Sequence, residues 1–201
     1  RFNTELTFRE ISAGYGIADL VFAPSETCDM INREPITHFG TLKFYLELGK
    51  KHYSINQLYS LAPYVPIRDI RKSISFLISN GYLEQNPDGR YQKIPTLGYD
   101  EPIKKIIAIE AKLTDYRSGI LQARRYQYFA DQSYLAILKS ASKHIDIEEL
   151  LSSGIGLILF DERSETISVR KPRRVSGKVQ EKVYRLFARE LMLDRLATSV
   201  S

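Results

Sequence analysis

The segment from Lys105 to Leu113, KIIAIEAKL, constrains the fold more than any other part of the sequence. Six of its nine residues are Ile, Leu or Ala, a composition typical of a buried β-strand. Glu110 and Lys112 interrupt the apolar run two positions apart, so both side chains project from the same face of the strand. Charges on a buried strand cost free energy unless they are paired, bound to a metal or open to a cleft. The segment therefore predicts a buried strand that carries a chemical site.

The overall composition is that of a globular protein. The 201 residues are 43% hydrophobic and 26% charged, which suits one medium domain or two small ones. The sequence has no apolar run of about 18 residues, so we expect no membrane span. Cys28 is the only cysteine, which excludes an internal disulfide and agrees with a cytoplasmic location. No signal peptide is visible, and an opening at Arg1 in place of Met is compatible with a missing N-terminal element.

A basic segment in the middle of the chain has its own organisation. Apolar spacing predicts helices over 37–50, 55–61 and 67–80, and a hairpin with strands at 82–85 and 90–94. Three helices followed by a hairpin resemble a winged helix-turn-helix domain, and the stretch IRDIRKSISFLISNGYLEQNPDGRYQKI carries the resemblance. From Ile36 to Thr96, eight Lys or Arg residues against four Asp or Glu give a balance of +4. That excess, within a chain of net charge +5, favours polyanionic partners.

The resemblance to a winged helix implies where DNA would bind. Arg68, Arg71 and Lys72 lie on the third predicted helix, near the usual DNA-reading face of this motif. Arg90 in the hairpin is the fourth expected DNA-binding residue. Winged helices also serve as protein-interaction modules, so that alternative stays open.

The two flanking parts of the chain predict a single α/β core. Without the basic segment, the order is strand, turn, strand with Asp19, strand with Glu110 and Lys112, helix and strand. The 91 positions between Asp19 and Glu110 are many for adjacent strands, and an insertion at a hairpin tip accounts for them. We therefore predict a discontinuous core of residues 1–35 and 97–201, interrupted by an inserted domain of residues 36–96.

Two carboxylates and a lysine are the groups that metal-assisted phosphodiester hydrolysis requires. Asp19 and Glu110 would hold Mg²⁺ or Mn²⁺ through oxygen ligands. The metal would polarise the phosphate and acidify a bound water. Lys112 would orient or help deprotonate that water and offset developing negative charge. Glu5 and Glu10 on the preceding strand are weaker ligand candidates, because surface glutamates are common.

These residues resemble the motif of the PD-(D/E)xK nuclease superfamily. The matching stretches are GIADLVF around Asp19 and IIAIEAKL around Glu110 and Lys112. Ala18 stands where the motif has a proline, which is a departure from the pattern. The resemblance implies a restriction-endonuclease-like α/β fold, with a mixed central sheet flanked by helices and interrupted by the winged-helix insertion.

The helix predicted over 118–131 adds to the resemblance. Gln122 and Tyr126 lie four positions apart and so share one helix face. This spacing is similar to that of the RecB-like branch, in which the two residues help to shape the DNA-side wall of the site. The implied catalytic residues are Asp19, Glu110, Lys112, Gln122 and Tyr126.

Simpler interpretations of these features also remain. Glu110 and Lys112 suit an ordinary ion pair on a half-exposed strand, and Asp19 suits the end of a strand. Gln122 and Tyr126 suit an exposed helix surface. The basic run 170–174 suits either a solvated loop or a phosphate-binding strip.

The expected function is metal-dependent hydrolysis of DNA, with the basic insert holding the substrate. One alternative is a winged-helix DNA-binding regulator with a catalytically silent nuclease-like core. Another is an RNA-directed nuclease or toxin. A homodimer would supply the two active sites that cutting both strands at once usually needs, although the sequence reveals no interface.

Overall fold

The computed structural model describes residues 6–14, 16–23, 33–63, 65–94, 103, 105–173 and 182–200. Glu5, Cys28 and Arg174 lie outside these residues. No helix in the described part is both long and apolar enough to cross a membrane. The elements in chain order are β1 (Leu6–Ser12), β2 (Ile17–Ala23), α1 (Phe39–Glu47), α2 (Ile55–Ser60), α3 (Ile67–Ser79), β3 (Leu83–Gln85), β4 (Tyr91–Lys93), β5 (Ile107–Lys112), α4 (Tyr116–Tyr126), β6 (Gln132–Leu138), α5 (Ile147–Ser152), β7 (Ile155–Asp161), β8 (Thr166–Arg170) and α6 (Lys182–Val200).

The chain divides into two compact units. The first consists of Arg1–Met30 and Pro102–Met192, and the second of Ile31–Glu101 and Leu193–Ser201. Six strands and helices α4 and α5 belong to the first unit, and α1 to α3 with the β3–β4 hairpin belong to the second.

The first unit is α/β and contains a mixed six-stranded sheet in the order β1-β2-β5-β6-β7-β8. Strands β5, β6 and β7 are parallel to one another, whereas β1, β2 and β8 are antiparallel to their neighbours. Parallel neighbours need a crossover connection, and α4 and α5 lie in the two crossovers. The predicted α/β class with a mixed sheet and helices is thus confirmed.

Strand β5 is an inner strand of the sheet, as its apolar composition predicts. Ile107 and Ile109 pack with Tyr134 of β6 on one face of the sheet. Helix α4 covers the opposite face of the sheet, because Leu135 of β6 packs with Ala123 of this helix. Glu110 and Lys112 of β5 point to the α4 side, since Glu110 lies beside Leu135 in the register. The charged residues of the strand thus lie under a helix.

Helix α4 begins and ends earlier than the predicted range of 118–131. Its first turn is capped by Asp115, whose carboxylate accepts a hydrogen bond from the Ser118 N–H at 3.1 Å. Asp131 lies beyond the helix, where its carboxylate accepts from the Ile106 N–H at 2.7 Å and pairs with Arg185 of α6 at 2.5 Å. These contacts hold Asp131 outside the helix, next to the residue that precedes β5 and next to α6.

The apolar spacing of residues 178–196 predicts a long amphipathic helix, and the structure describes α6 over Lys182–Val200, so the helix continues past the predicted end. Residues 178–181 lie outside the described part of the chain. The apolar pattern places Leu191 on the buried side, yet the structure leaves this residue half-buried and buries Arg189 and Glu190 completely. Burial raises the pKa of Asp131, although the hydrogen bond from the Ile106 N–H and the charges of Arg185 and Arg189 act in the opposite direction. The burial of Arg189 and Glu190, and the partial exposure of Leu191, depart from the apolar pattern of this helix.

The second unit forms three helices and an antiparallel hairpin. Helix α2 begins with a capping box, in which Ser54 and Gln57 satisfy each other's backbone N–H groups. Lys93 of β4 donates to the carbonyls of Tyr45 and Leu48 at the end of α1, at 3.2 and 3.4 Å. A cation at a helix C-terminus is favourable, although burial lowers the pKa of Lys93. The hairpin is thereby attached to α1.

Gly156 of β7 provides a test of sheet packing. A Cβ atom at this position would lie 2.2 Å from ring atoms of Tyr134, which is completely buried. Because the ring has no free space to enter, we expect Gly156→Ala to lower the free energy of unfolding by about 1–3 kcal/mol. Urea denaturation followed by circular dichroism measures the change. Leu121→Ala, at an exposed position of α4, is the control and should stay within about 0.5 kcal/mol of the unmodified protein.

Candidate active site

Glu110 is the centre of the candidate site. Its side chain is 1% exposed, and both carboxylate oxygens have partners. Oε1 lies 2.6 Å from Lys112 Nζ, and Oε2 accepts a hydrogen bond from the Tyr126 hydroxyl. That hydroxyl also lies 2.6 Å from the Ile17 carbonyl oxygen, so its single proton serves one of two acceptors at a time. The ammonium and the hydroxyl together offset the cost of burying the carboxylate.

These contacts determine the protonation states of the two partners. The hydrogen bond to Glu110 raises the pKa of Lys112, and the negative charges of Glu110 and Asp19 act in the same direction. Lys112 is therefore a cation at neutral pH. Burial and the hydrogen bond to Glu110 raise the pKa of Tyr126 well above its usual range. Tyr126 is therefore a neutral hydrogen-bond donor wherever the protein is folded.

Asp19 lies next to Glu110 on the neighbouring strand. The ladder between β2 and β5 pairs Leu20 with Ile109 and ends there. At the next position Asp19 Oδ2 accepts from the Ala111 N–H at 2.8 Å, so a side-chain carboxylate continues the contact between the strands. The fold thus brings Asp19, Glu110 and Lys112 together across the 91 positions that separate the carboxylates.

Helix α4 supplies the other predicted site residues. Gln122 lies one turn before Tyr126, and its buried Oε1 has no hydrogen-bond partner within the described part of the chain. Gly119, which the sequence interpretation did not include, lies one turn earlier. A Cβ atom there would be 2.5 Å from Leu135 Cδ1 and 3.1 Å from Lys112 Cγ. A lone glycine inside a helical pattern often marks such a close approach. The sequence therefore contained a signal that could have identified Gly119.

Asp19 and Glu110 are the residues that could hold a divalent cation. No group of three or more His, Cys, Asp or Glu side chains suited to a metal occurs among the described residues. Glu10 lies level with Asp19 on β1, but its φ of 54° interrupts the strand geometry at this position. One or two carboxylates, completed by waters and substrate phosphate, are a common Mg²⁺ ligand set. The two carboxylates therefore fit a metal that is shared with a phosphate substrate.

The four predicted DNA-binding residues are all exposed in the second unit. The Arg68 side chain is 82% exposed. Arg71 donates to the Tyr59 hydroxyl at 3.0 Å, a contact that raises the pKa of Arg71. Lys72 lies beside Arg71 on α3, and Arg90 immediately precedes β4. Three of the four cations therefore share one helix, and Tyr59 fixes the direction of Arg71.

The basic run 170–174 begins at Arg170, the last residue of β8, and residues 171–173 follow the strand in the first unit. Within it, Arg173 forms an ion pair with Glu148 of α5. One of its positive charges is thus already matched inside the protein.

Comparisons with known proteins identify no relative, so the proposed function of the chain depends on the geometry of the site. No protein-family model matches the chain, and no curated protein or solved structure gives a significant match.

Tyr126→Phe tests how the Glu110 carboxylate is held. Removing the hydroxyl leaves a buried carboxylate oxygen without its donor, so we expect a loss of about 1–3 kcal/mol in the free energy of unfolding at pH 7. Because the folded-state pKa of Tyr126 is raised, its contribution is complete below the unfolded-state pKa of about 10 and falls at higher pH. The difference between the two proteins should therefore narrow in alkaline solution.

Urea titrations at neutral and alkaline pH measure this difference. Tyr116→Phe is the matched control, because its hydroxyl contacts only the exposed Arg117 at 3.4 Å in the described structure. A Tyr126→Phe protein as stable as the control would contradict the role of this hydroxyl.

Proposed function

We propose that the chain is a metal-dependent nuclease of the PD-(D/E)xK type that cuts DNA. The observation that carries the proposal is a buried Glu110 in contact with Lys112, with Asp19 beside it on the adjacent strand. A purely structural pair would need only Glu110 and Lys112. The third charged group, Asp19, lies where the ladder between β2 and β5 ends, and it supports a site that binds a cation and a phosphate.

We further propose that the first unit has a restriction-endonuclease-like fold and that the second is an inserted winged helix. The sheet order β1-β2-β5-β6, with α4 in the crossover between the parallel strands, supports the first part. The succession of three helices and a hairpin between β2 and β5 supports the second. An insertion at this point explains why the two strands that carry the site are so far apart in the sequence.

Each residue has a defined role in the proposed reaction. Asp19 and Glu110 would hold Mg²⁺ or Mn²⁺, which when bound polarises the phosphate and acidifies a water. Lys112 is protonated at neutral pH, so it orients the phosphate and offsets negative charge and does not act as a base. Tyr126 fixes the Glu110 carboxylate through its hydroxyl. Gln122 offers a buried oxygen to the wall of the site.

The second unit would hold the DNA. Arg68, Arg71 and Lys72 lie along the exposed side of α3, which suits entry into a DNA groove, and Arg90 suits a phosphate contact. Arg71, held by Tyr59, loses less conformational entropy on binding than a freely rotating arginine.

One observation favours a second candidate function, a DNA-binding regulator with a catalytically silent core. Both oxygens of Glu110 already have partners within the chain, so the carboxylate is satisfied without a metal. Calorimetric titration with Mn²⁺ separates the two candidates. An active site should show binding that Asp19→Ala removes, whereas a silent core should show none.

Lys112→Ala tests the proposed chemistry. We expect cleavage of plasmid DNA with Mg²⁺ or Mn²⁺, and a loss of at least about 10²-fold in rate in the variant, because the transition state loses a cation. Lys143→Ala, at an exposed lysine of the same unit, is the control and should cut normally. Duplex DNA, single-stranded DNA and RNA are compared as substrates. Robust cleavage by folded Lys112→Ala protein would exclude the assigned site.

Arg68→Ala tests the DNA-holding face of α3. The variant should bind DNA more weakly, and the slope of log affinity against log salt should fall by about one, as expected for the loss of one phosphate contact. Lys50→Ala removes the same charge from an exposed position outside α3 and the hairpin, and should leave the slope unchanged. Fluorescence anisotropy at several salt concentrations gives both values. Equal slopes for Arg68→Ala and the unmodified protein would show that Arg68 makes no phosphate contact with DNA.

A further inference from the structure

The side of α4 that faces solvent carries a row of cations. The helix buries Gly119, Ala123 and Tyr126, which lie on the side that packs against the sheet. Because a helix turns by about 100° per residue, four other residues lie on the opposite side. These four residues, which we call the α4 row, are all exposed: Arg117, Leu121, Arg124 and Arg125.

The stability of the helix does not account for the whole α4 row. An exposed helix face usually combines both signs of charge in pairs four residues apart, yet α4 contains no Asp or Glu. Arg124 and Arg125 lie in the last turn, where a cation is favourable. Arg117 lies in the first turn, where the helix dipole makes a cation unfavourable. The first-turn arginine therefore indicates a role outside the fold.

The three arginines are available to a partner. None of them takes part in an ion pair of the described structure. Arg124 lines a small cavity together with Asp146 and Glu149 of α5, but it is not paired with either carboxylate there. The guanidinium of Arg117 lies 5.9 Å from the centre of the Tyr116 ring, which orients it without neutralising its charge.

We propose that the α4 row binds the phosphate backbone of a nucleic acid. Arginine is suited to this contact, because its planar guanidinium can donate two hydrogen bonds to one phosphate. From Arg117 to Arg125 the helix rises by about 12 Å. One strand of duplex DNA carries three to four phosphates over roughly that length. The row is therefore long enough to contact more than one phosphate.

The chemistry of α4 favours a nucleic acid over other acidic partners. A helix that lies on a membrane inserts a wide apolar face, whereas the apolar side of α4 packs in the core through Ala123 and Leu135. A protein partner would need an apolar centre in the interface, and the row offers only Leu121, which is 58% exposed. Charge is the main feature that the row presents, and phosphates complement it.

This inference goes beyond the proposed function. The DNA-binding residues of α3 belong to the second unit, whereas α4 belongs to the unit that contains Glu110. The α4 row would give the first unit its own nucleic-acid contact, whether or not the chain cuts the bound strand. Binding is therefore measured in EDTA, where the proposed cleavage cannot occur and its failure cannot affect the result.

Fluorescence anisotropy with a labelled DNA duplex at several salt concentrations tests the proposal on the full chain. In Arg117→Gln/Arg125→Gln, the slope of log affinity against log salt should fall by about two, and the affinity near 0.1 M salt should fall about ten-fold or more. Lys143→Gln/Arg163→Gln is the matched control, because it removes the same charge from exposed positions of the first unit outside α4. The control should keep the slope of the unmodified protein. Circular dichroism should show that both variants are folded.

A gain of binding provides the second measurement. Leu121→Arg fills the gap in the α4 row and should raise the slope by about one, whereas Ile167→Arg, at an exposed position of β8, should not change it. The proposal is overturned if the unmodified protein does not bind the duplex, or if Arg117→Gln/Arg125→Gln binds with an unchanged slope. It is also overturned if the control loses as much as the α4 variant. Vesicles of phosphatidylserine and phosphatidylcholine are the last probe, and a loss by the α4 variant on vesicles but not on DNA would assign the row to a membrane.

Discussion

Burial of the Glu110 carboxylate is the constraint on which the rest of the first unit depends. An isolated buried carboxylate costs several kcal/mol even after the protein relaxes around it. Lys112 reaches it from the same strand, and Tyr126 reaches it from α4. The second contact requires α4 to lie close to β5, and Gly119 allows this because it has no side chain to meet Leu135. The chemistry of one residue thus couples a strand, a helix and the packing between them.

The neighbourhood of Glu110 is also the reason why we propose that a phosphate binds at this end of the sheet. The backbone ladder between β2 and β5 ends before Asp19, whose carboxylate bonds to Ala111 in place of a carbonyl. Two carboxylates and a protonated lysine therefore lie at the point where the strands stop pairing. The same charges stabilise the fold and form the proposed site, so we expect a substitution here to change stability as well as the proposed reaction.

Much of the fold was predictable because it depends on local patterns. The apolar run in β5, the capping box of Ser54 and the hairpin each come from residues close together in the sequence. The predicted bounds of α4 were wrong, because partners distant in the sequence hold the residues at its end. Asp131 is held by Ile106 and Arg185 outside α4. Arg189 lies buried in α6, although its sequence position marks it as polar surface.

The sequence by itself determined the site's components: two charges on one face of an apolar strand, an upstream aspartate and a helix with Gln122 and Tyr126. Alternation along a strand and the spacing of a helix are properties of the backbone, so they can be read without a structure. Only the tertiary structure decided that Asp19 lies beside Glu110, that Tyr126 holds the carboxylate and that Gly119 makes the approach possible. These contacts join residues from separate elements, and their geometry depends on the register and packing of the whole sheet.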